Sequence, residues 1–74
     1  MKTFKIIFFN PTTIKKRVYR LIFKWDGYNH CWEVTTISMF GESTIRYCGD
    51  PMRFVNHVKE CLVGRDEYIT VKCA

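Results

Sequence analysis

The stretch RVYRLIFKWDGYNHCWEV, residues 17–34, decides the fold. It contains two runs of alternating apolar and polar residues on either side of Asp26-Gly27. An Asp-Gly pair between such runs is a strong β-hairpin signal, because a type I′ turn needs positive φ at both central positions. The sequence therefore predicts an antiparallel hairpin with a two-residue turn at Asp26-Gly27. A four-residue loop would leave the same side chains on the same faces.

The alternation in this hairpin separates an apolar face from a polar one, because side chains in a strand alternate with period two. The two-residue turn would set Arg20 opposite Glu33, an attractive cross-strand pair. A second tight turn, at Phe40-Gly41 or Gly41-Glu42, continues the pattern into another strand. The predicted core face comprises Tyr19, Leu21, Phe23, Trp25, Trp32, Val34, Ile45 and Tyr47.

Three further elements are predicted outside this meander. Residues 3–9 form a first strand and residues 68–73 a last one. Between them Asp50 is a helix N-cap, Pro51 suits the first helical position, and Gly64 is a left-handed terminator. The helix places one apolar stripe on the sheet, formed by Phe54, Val55, Val58, Cys61 and Leu62.

The predicted fold is a single α+β domain spanning residues 1–74. It is a small two-layer sandwich, a mainly antiparallel sheet of about five strands in the chain order β-β-β-β-α-β, packed by one helix on one face. The positions of the first and last strands within the sheet are left open by the sequence.

The apolar segments and the cysteines indicate the cellular location of the protein. No run approaches the ~20 apolar residues of a membrane span, and the N-terminus reads as a strand rather than a signal peptide. We therefore expect a cytoplasmic protein, in the host cytoplasm if it is viral, with no membrane partner. Four scattered cysteines without export are expected to be reduced thiols.

Positive charge is concentrated in the first third of the chain. Residues 1–25 contain seven basic residues and no acid, whereas the remainder contains five basic and seven acidic residues. Such asymmetry indicates a basic surface for phosphates or for an acidic protein, although lysines also protect edge strands from aggregation. The candidate binding residues are Lys5, Lys15, Lys16, Arg17, Arg20, Lys24 and Arg46.

No residue pattern indicates catalysis. The acids fall at predicted turns, at a helix cap and at exposed positions, so no carboxylate pair emerges. His30 and Cys31 are consecutive and would project to opposite faces of a strand, which disfavours a shared metal ion. All four glycines are isolated, so there is no phosphate loop. We expect no enzyme activity, cofactor, metal or small-molecule substrate.

Two binding functions remain. The first is an inhibitor or adaptor that docks on a protein through its basic surface, as small viral or mobile-element proteins do when they target host nucleic-acid or defence machinery. The second is direct, largely sequence-independent nucleic-acid binding. Most strand aromatics are predicted on the buried face, which favours the first. An open sheet edge would also allow a homodimer.

The order of these elements offers one resemblance. Asp26-Gly27-Tyr28, then a third strand, Gly49-Asp50 and a helix resemble the N-terminal half of HicB-type antitoxins over about forty residues. No separate DNA-binding region of the kind that many of those proteins carry is found in this sequence. The resemblance implies an inhibitory, protein-binding role.

Overall fold

The computed structural model describes residues 1–73 and contains five strands and one helix. These are β1 (Lys2–Asn10), β2 (Lys15–Asp26), β3 (Cys31–Ser38), β4 (Gly41–Tyr47), α1 (Pro51–Leu62) and β5 (Tyr68–Cys73). All neighbouring strands are antiparallel, in the order β4-β3-β2-β1-β5. The predicted α+β fold class is confirmed. The last strand pairs with the first, which closes the question that the sequence left open.

The core lies between the helix and one face of the sheet. The alternate residues Phe4, Ile6 and Phe8 of β1 are buried, and the neighbouring strands contribute from the same face. Val55 projects from α1 onto this layer and is fully buried. The buried core cluster consists of Phe4, Ile6, Phe8, Leu21, Phe23, Val34 and Val55.

Phe23 is the centre of an aromatic cluster in that core. Its ring meets those of Phe4, Trp32 and Phe54 edge-to-face, with centroids 5.6, 6.2 and 5.8 Å away. Phe54 in turn contacts Tyr47 of β4 at 5.0 Å. Such pairs add about 0.5–1.5 kcal/mol each beyond the area they bury. The cluster therefore fixes the N-terminal half of α1 over β2–β4.

The helix begins as predicted but ends differently. The Asp50 carboxylate accepts a hydrogen bond from the Met52 amide at 3.0 Å, and Pro51 occupies the first turn. The prediction that Gly64 terminates the helix in a left-handed conformation is wrong. The chain leaves α1 at Val63, which is extended (φ −64°, ψ 128°) and donates its amide to the Lys59 carbonyl. No helix within residues 1–73 is long and apolar enough to span a membrane.

Both predicted hairpins form, with shifted registers. Asp26 pairs with Cys31, so the loop holds four residues and Gly27 is not among the positive-φ positions. Arg20 consequently faces Ile37 rather than Glu33. The second loop is residues 39–40 rather than Phe40-Gly41 or Gly41-Glu42, and it sets Val34 opposite Ile45. Both registers differ from the predicted ones by an even number of residues, so each side chain still lies on the predicted face of the sheet.

The β1–β2 and β2–β3 loops have the same design. In each, an Asn or Asp at the end of a strand accepts from two backbone amides, and the fourth loop residue has positive φ. The Asn10 Oδ1 accepts from Thr12 and Thr13, and Ile14 has φ +58°. The Asp26 Oδ1 accepts from residues 28 and 29, and His30 has φ +52°. These loops are thus held by an Asn or Asp side chain that accepts from backbone amides, and they do not need the positive-φ glycine of a type I′ turn.

Some predicted core residues are only partly covered. Leu21, Phe23 and Val34 are fully buried, but Trp25 and Ile45 are 51% and 50% exposed, so the prediction for these two is wrong. Trp25 is the last residue but one of β2, and Ile45 lies on the edge strand β4, which has a neighbouring strand on one side only. Cys61 is also exposed, because it lies on the flank of α1 beside His57 rather than on the sheet.

Ile14 provides a test of the loop design. Positive φ is unfavourable for a β-branched residue and tolerated by Asn, and the Ile14 side chain is 78% exposed, so little packing is lost by replacing it. Ile14→Asn is expected to raise the free energy of unfolding by about 1 kcal/mol, measured by urea denaturation. Thr13→Asn, one position earlier, is the control. A destabilised Ile14→Asn protein would contradict the loop conformation.

Candidate binding face

One face of the sheet has no second layer within residues 1–73. We call it the open face; it is the side that points away from α1. The register places alternate residues of all five strands on it. Its basic residues are Lys5, Lys16, Arg20, Lys24, Arg46 and Lys72, and its acidic residues are Asp26, Glu33 and Glu42. The acids lie on β3, β4 and the last position of β2.

A row of three cations crosses the β5–β1–β2 half of the open face. Lys72 is opposite Lys5, and Lys5 is opposite Arg20. Neighbouring strands are ~4.8 Å apart, so these side chains emerge side by side. The only ion pair among residues 1–73 joins Arg17 to Glu67. The row therefore has no acidic partner within the described chain.

Apolar side chains surround this row. Ile7 and Val18 form the next row on one side, and Ile22 lies on the other. Next to Arg20 in its own row is Ile37 of β3. All four are half-buried although no element covers them. The open face is thus an aliphatic patch crossed and flanked by cations.

Two aromatic residues lie at one end of the open face. Tyr68 is opposite Phe9, which is opposite Lys16, so two rings and a cation make one cross-strand row. Tyr68 is 69% exposed and Phe9 37%. At the other end Lys24, Glu33 and Arg46 make a row in which the acid lies between two cations. The excess positive charge therefore belongs to β5, β1 and β2.

Two predicted binding residues lie on the opposite side of the sheet. Lys15 and Arg17 have the same parity as the core residues of β2. The Arg17 guanidinium lies over the Phe8 ring, 4.9 Å from its centroid, and donates to the Leu62 carbonyl at 2.6 Å. The structure thus brings together five of the seven predicted residues and separates these two from them.

Arg17 ties the end of the helix to the sheet. Its side chain, 34% exposed, donates two hydrogen bonds to the Glu67 carboxylate, which is 10% exposed. The hydrogen bond from Arg17, followed by one from the Gly64 amide, holds the pKa of Glu67 below its ordinary value. The Leu62 carbonyl is one of the unpaired acceptors at the C-terminus of a helix. Arg17 therefore stabilises the packing of the helix end against the sheet, whereas Lys16 lies on the open face.

Lys72 is the open-face cation that the sequence analysis missed. It lies in the last strand, far along the chain from the basic first third, and joins the row only because β5 pairs with β1. Alternation within β5 shows that Lys72 shares a face with Thr70 and Tyr68, but the sequence does not show which strand lies beside it. Lys72 can therefore be grouped with Lys5 and Arg20 only from the three-dimensional pairing of β5 with β1.

The cysteines are free thiols in different surroundings. Cys31 is buried, and burial, followed by a hydrogen bond with Cys48, raises the pKa of its thiol. A raised pKa leaves less thiolate, the nucleophilic form. Cys61 lies 3.5 Å from His57 Nε2 on the exposed side of α1. Within the described residues no three His, Cys, Asp or Glu side chains are grouped to hold a metal ion.

The pKa of Glu67 generates a test of the Arg17 contact. A carboxylate whose pKa is lowered on folding contributes stability above its ordinary value, 4.5, and loses it as the pH falls through the lowered value. The free energy of unfolding of Glu67→Gln should be below that of the native chain at pH 7, and the difference should shrink below pH 4.5.

Denaturant unfolding at several pH values measures this difference. Glu60→Gln is the matched control, because it removes an exposed carboxylate that makes no ion pair within the described chain. The control should differ little from the native protein at any of these pH values. A Glu67→Gln deficit that stays constant from pH 7 to pH 3 would contradict the contact.

Comparisons with protein-family models, with curated proteins and with solved structures found no match for this chain. The resemblance of residues 26–28 and 49–50 to HicB-type antitoxins therefore stays a prediction. Any functional assignment rests on the residues of this chain and on the open face that they build.

Proposed function

We propose that the protein is a non-enzymatic binding module, an inhibitor or adaptor, that docks through its open face on a protein partner. The partner surface would be acidic around an apolar patch. The observation that carries the proposal is the unpaired cation row Lys72–Lys5–Arg20 beside half-buried aliphatic side chains on an uncovered sheet face. The proposal places the encounter in the cytoplasm, the host cytoplasm if the protein is viral.

The chemistry of the open face supports a protein partner. Protein interfaces combine apolar and polar contacts, and here Ile7 and Val18 lie on one side of the row that contains Lys5 and Arg20, with Ile22 on the other side. Cations around an apolar contact steer an acidic partner and fix its orientation. The aliphatic centre would make dispersion contacts that a phosphate backbone cannot offer.

The cation row is unfavourable for the isolated fold. Like charges directly opposite each other in a sheet are destabilising, and Lys5 has Lys72 on one side and Arg20 on the other. Replacing Lys5 by Thr would remove this repulsion and place a residue with good strand propensity there. Folding alone therefore does not require the row, which supports a role in binding.

Direct nucleic-acid binding is the second candidate, and one observation favours it. The row Tyr68–Phe9–Lys16 sets two exposed rings beside a cation, the combination that single-strand binders use for base stacking and phosphate contact. These rings lie at one end of the open face, and aliphatic residues occupy its centre. The protein partner therefore ranks first.

The double variant Lys5→Thr/Arg20→Thr tests the proposal. A tagged native chain is cross-linked in a cell extract, the retained protein is identified, and its affinity is measured in purified form. The variant should bind this partner at least about tenfold more weakly, because two interface cations are lost. Affinity for the native chain should also fall as salt is raised.

The control is Arg53→Gln/Arg65→Gln, which removes the same charge from exposed residues outside the sheet, and its affinity should match that of the native chain. Equal binding by the open-face double variant would refute the docking site. A gel shift with mixed DNA and RNA at two salt concentrations separates the second candidate. A shift that weakens with a log–log slope of about −0.9 per duplex phosphate contact would replace the protein-partner function by nucleic-acid binding.

A further inference from the structure

The outer edge of β5 borders a groove on the helix side of the sheet. The groove lies between α1 and β5, has a volume of about 250 Å³ and is lined by Asn56, Lys59, Glu60, Val63 and Ile69. Clefts for drug-sized ligands measure about 300–1,000 Å³. This one is smaller and open along the edge of the sheet, which suits the side chains of a chain running past it.

The β5 edge is free to accept another strand. β5 is the last strand of the sheet, and it pairs with β1 residue for residue from Tyr68 to Cys73 without a bulge. The outward amides and carbonyls of such an edge are a template for a further strand. Within the described chain no bulge, proline or covering element blocks this edge, and Lys72 is the one charged side chain in β5 that would discourage unspecific pairing.

The two sides of β5 differ in chemistry. On the helix side, Ile69 lines the groove together with Val63, which is 38% exposed. On the other side Tyr68, Thr70 and Lys72 belong to the open face, and Lys72 lies beside Lys5. A strand added to β5 would alternate its side chains between these sides. Its residues on the groove side should be apolar, and those on the open-face side should be acidic.

We infer that β5 and the groove beside α1 bind an extended segment of the partner protein by strand addition, with alternating apolar and acidic residues in that segment. This inference rests on the proposed function and specifies how the partner docks. Main-chain hydrogen bonds to β5 supply affinity, and alternate side chains supply specificity. Charge complementarity selects the occupant, because the open-face side of β5 carries Lys72 and no acid.

The opposite edge of the sheet does not offer the same site. The open-face side of β4 carries Glu42 as well as Arg46, and the groove lies at the other end of the strand order. A second copy of this chain is disfavoured at β5, because each copy carries a net charge of +5 and would present Lys72 to its mate. The acidic extended segment is thus the occupant that the charges favour.

Filling the groove is the direct test. Asn56 is exposed and lines it, so Asn56→Trp places an indole in the path of an added strand. His57, the next residue, is exposed but does not line the groove, and His57→Trp is the matched control. Circular dichroism and thermal unfolding establish that both variants fold. If one of them does not, Asn56→Phe and His57→Phe replace the pair.

The probe is a random library of linear twelve-residue peptides displayed on phage and selected on the full native chain. Enriched peptides should alternate apolar and acidic residues. A synthetic copy of one of them should bind Asn56→Trp at least about tenfold more weakly than the native chain and bind His57→Trp equally well. Failure to enrich any peptide, enrichment without alternation, or undiminished binding to Asn56→Trp would overturn the inference.

Two results separate this inference from the proposed function. If the identified protein partner loses affinity for Lys5→Thr/Arg20→Thr but not for Asn56→Trp, the open face docks the partner and strand addition is refuted. If sedimentation equilibrium shows a dimer of the native chain that Asn56→Trp abolishes, the occupant is a second copy and the inferred occupant is wrong.

Discussion

One helix is too small to cover a five-stranded sheet, and this difference in size determines which side chains are buried and which stay exposed. A twelve-residue helix is about 18 Å long and 10 Å across, whereas β2 alone extends over about 40 Å. The helix therefore seals one face only where Phe23 meets its aromatic neighbours and where Arg17 holds its last turn. Trp25, towards the end of β2, stays half-exposed, and no second layer covers the opposite face of the sheet within the described chain.

The faces could be predicted from the sequence, and the registers could not. Period-two alternation survives any even change in loop length, so the pattern places Leu21, Phe23 and Val34 in the core for either turn, and all three are buried. The loop length itself depends on whether Asp26 closes a type I′ turn or accepts amides from residues 28 and 29, and both uses suit Asp. The carboxylate's three hydrogen bonds, including one from the Asn29 side chain at 2.7 Å, decide in favour of the longer loop.

The part of the candidate site that could be predicted is the part that follows from the alternation of side chains within a single strand. Lys5, Lys16, Arg20 and Lys24 share the open face for this reason. The cluster of basic residues at 15–17 suggested one surface, but consecutive residues in a strand point to opposite sides. The contacts of Arg17 could not be predicted, because its partners, Glu67 and the Leu62 carbonyl, are 50 and 45 residues away in the chain. Position along the chain carries no information about contacts of that kind.

Solvent exposure of individual methyl groups tests the division between a sealed and an open face most directly. The measurement is the broadening of methyl NMR signals by a soluble paramagnetic agent. Broadening is expected for Ile7, Ile22 and Ile37 and protection for Ile6 and Val34, although Ile6 and Ile7 are adjacent in the chain. Equal protection of both groups of methyls would show that the open face is covered, and the protein would then have no open face for docking.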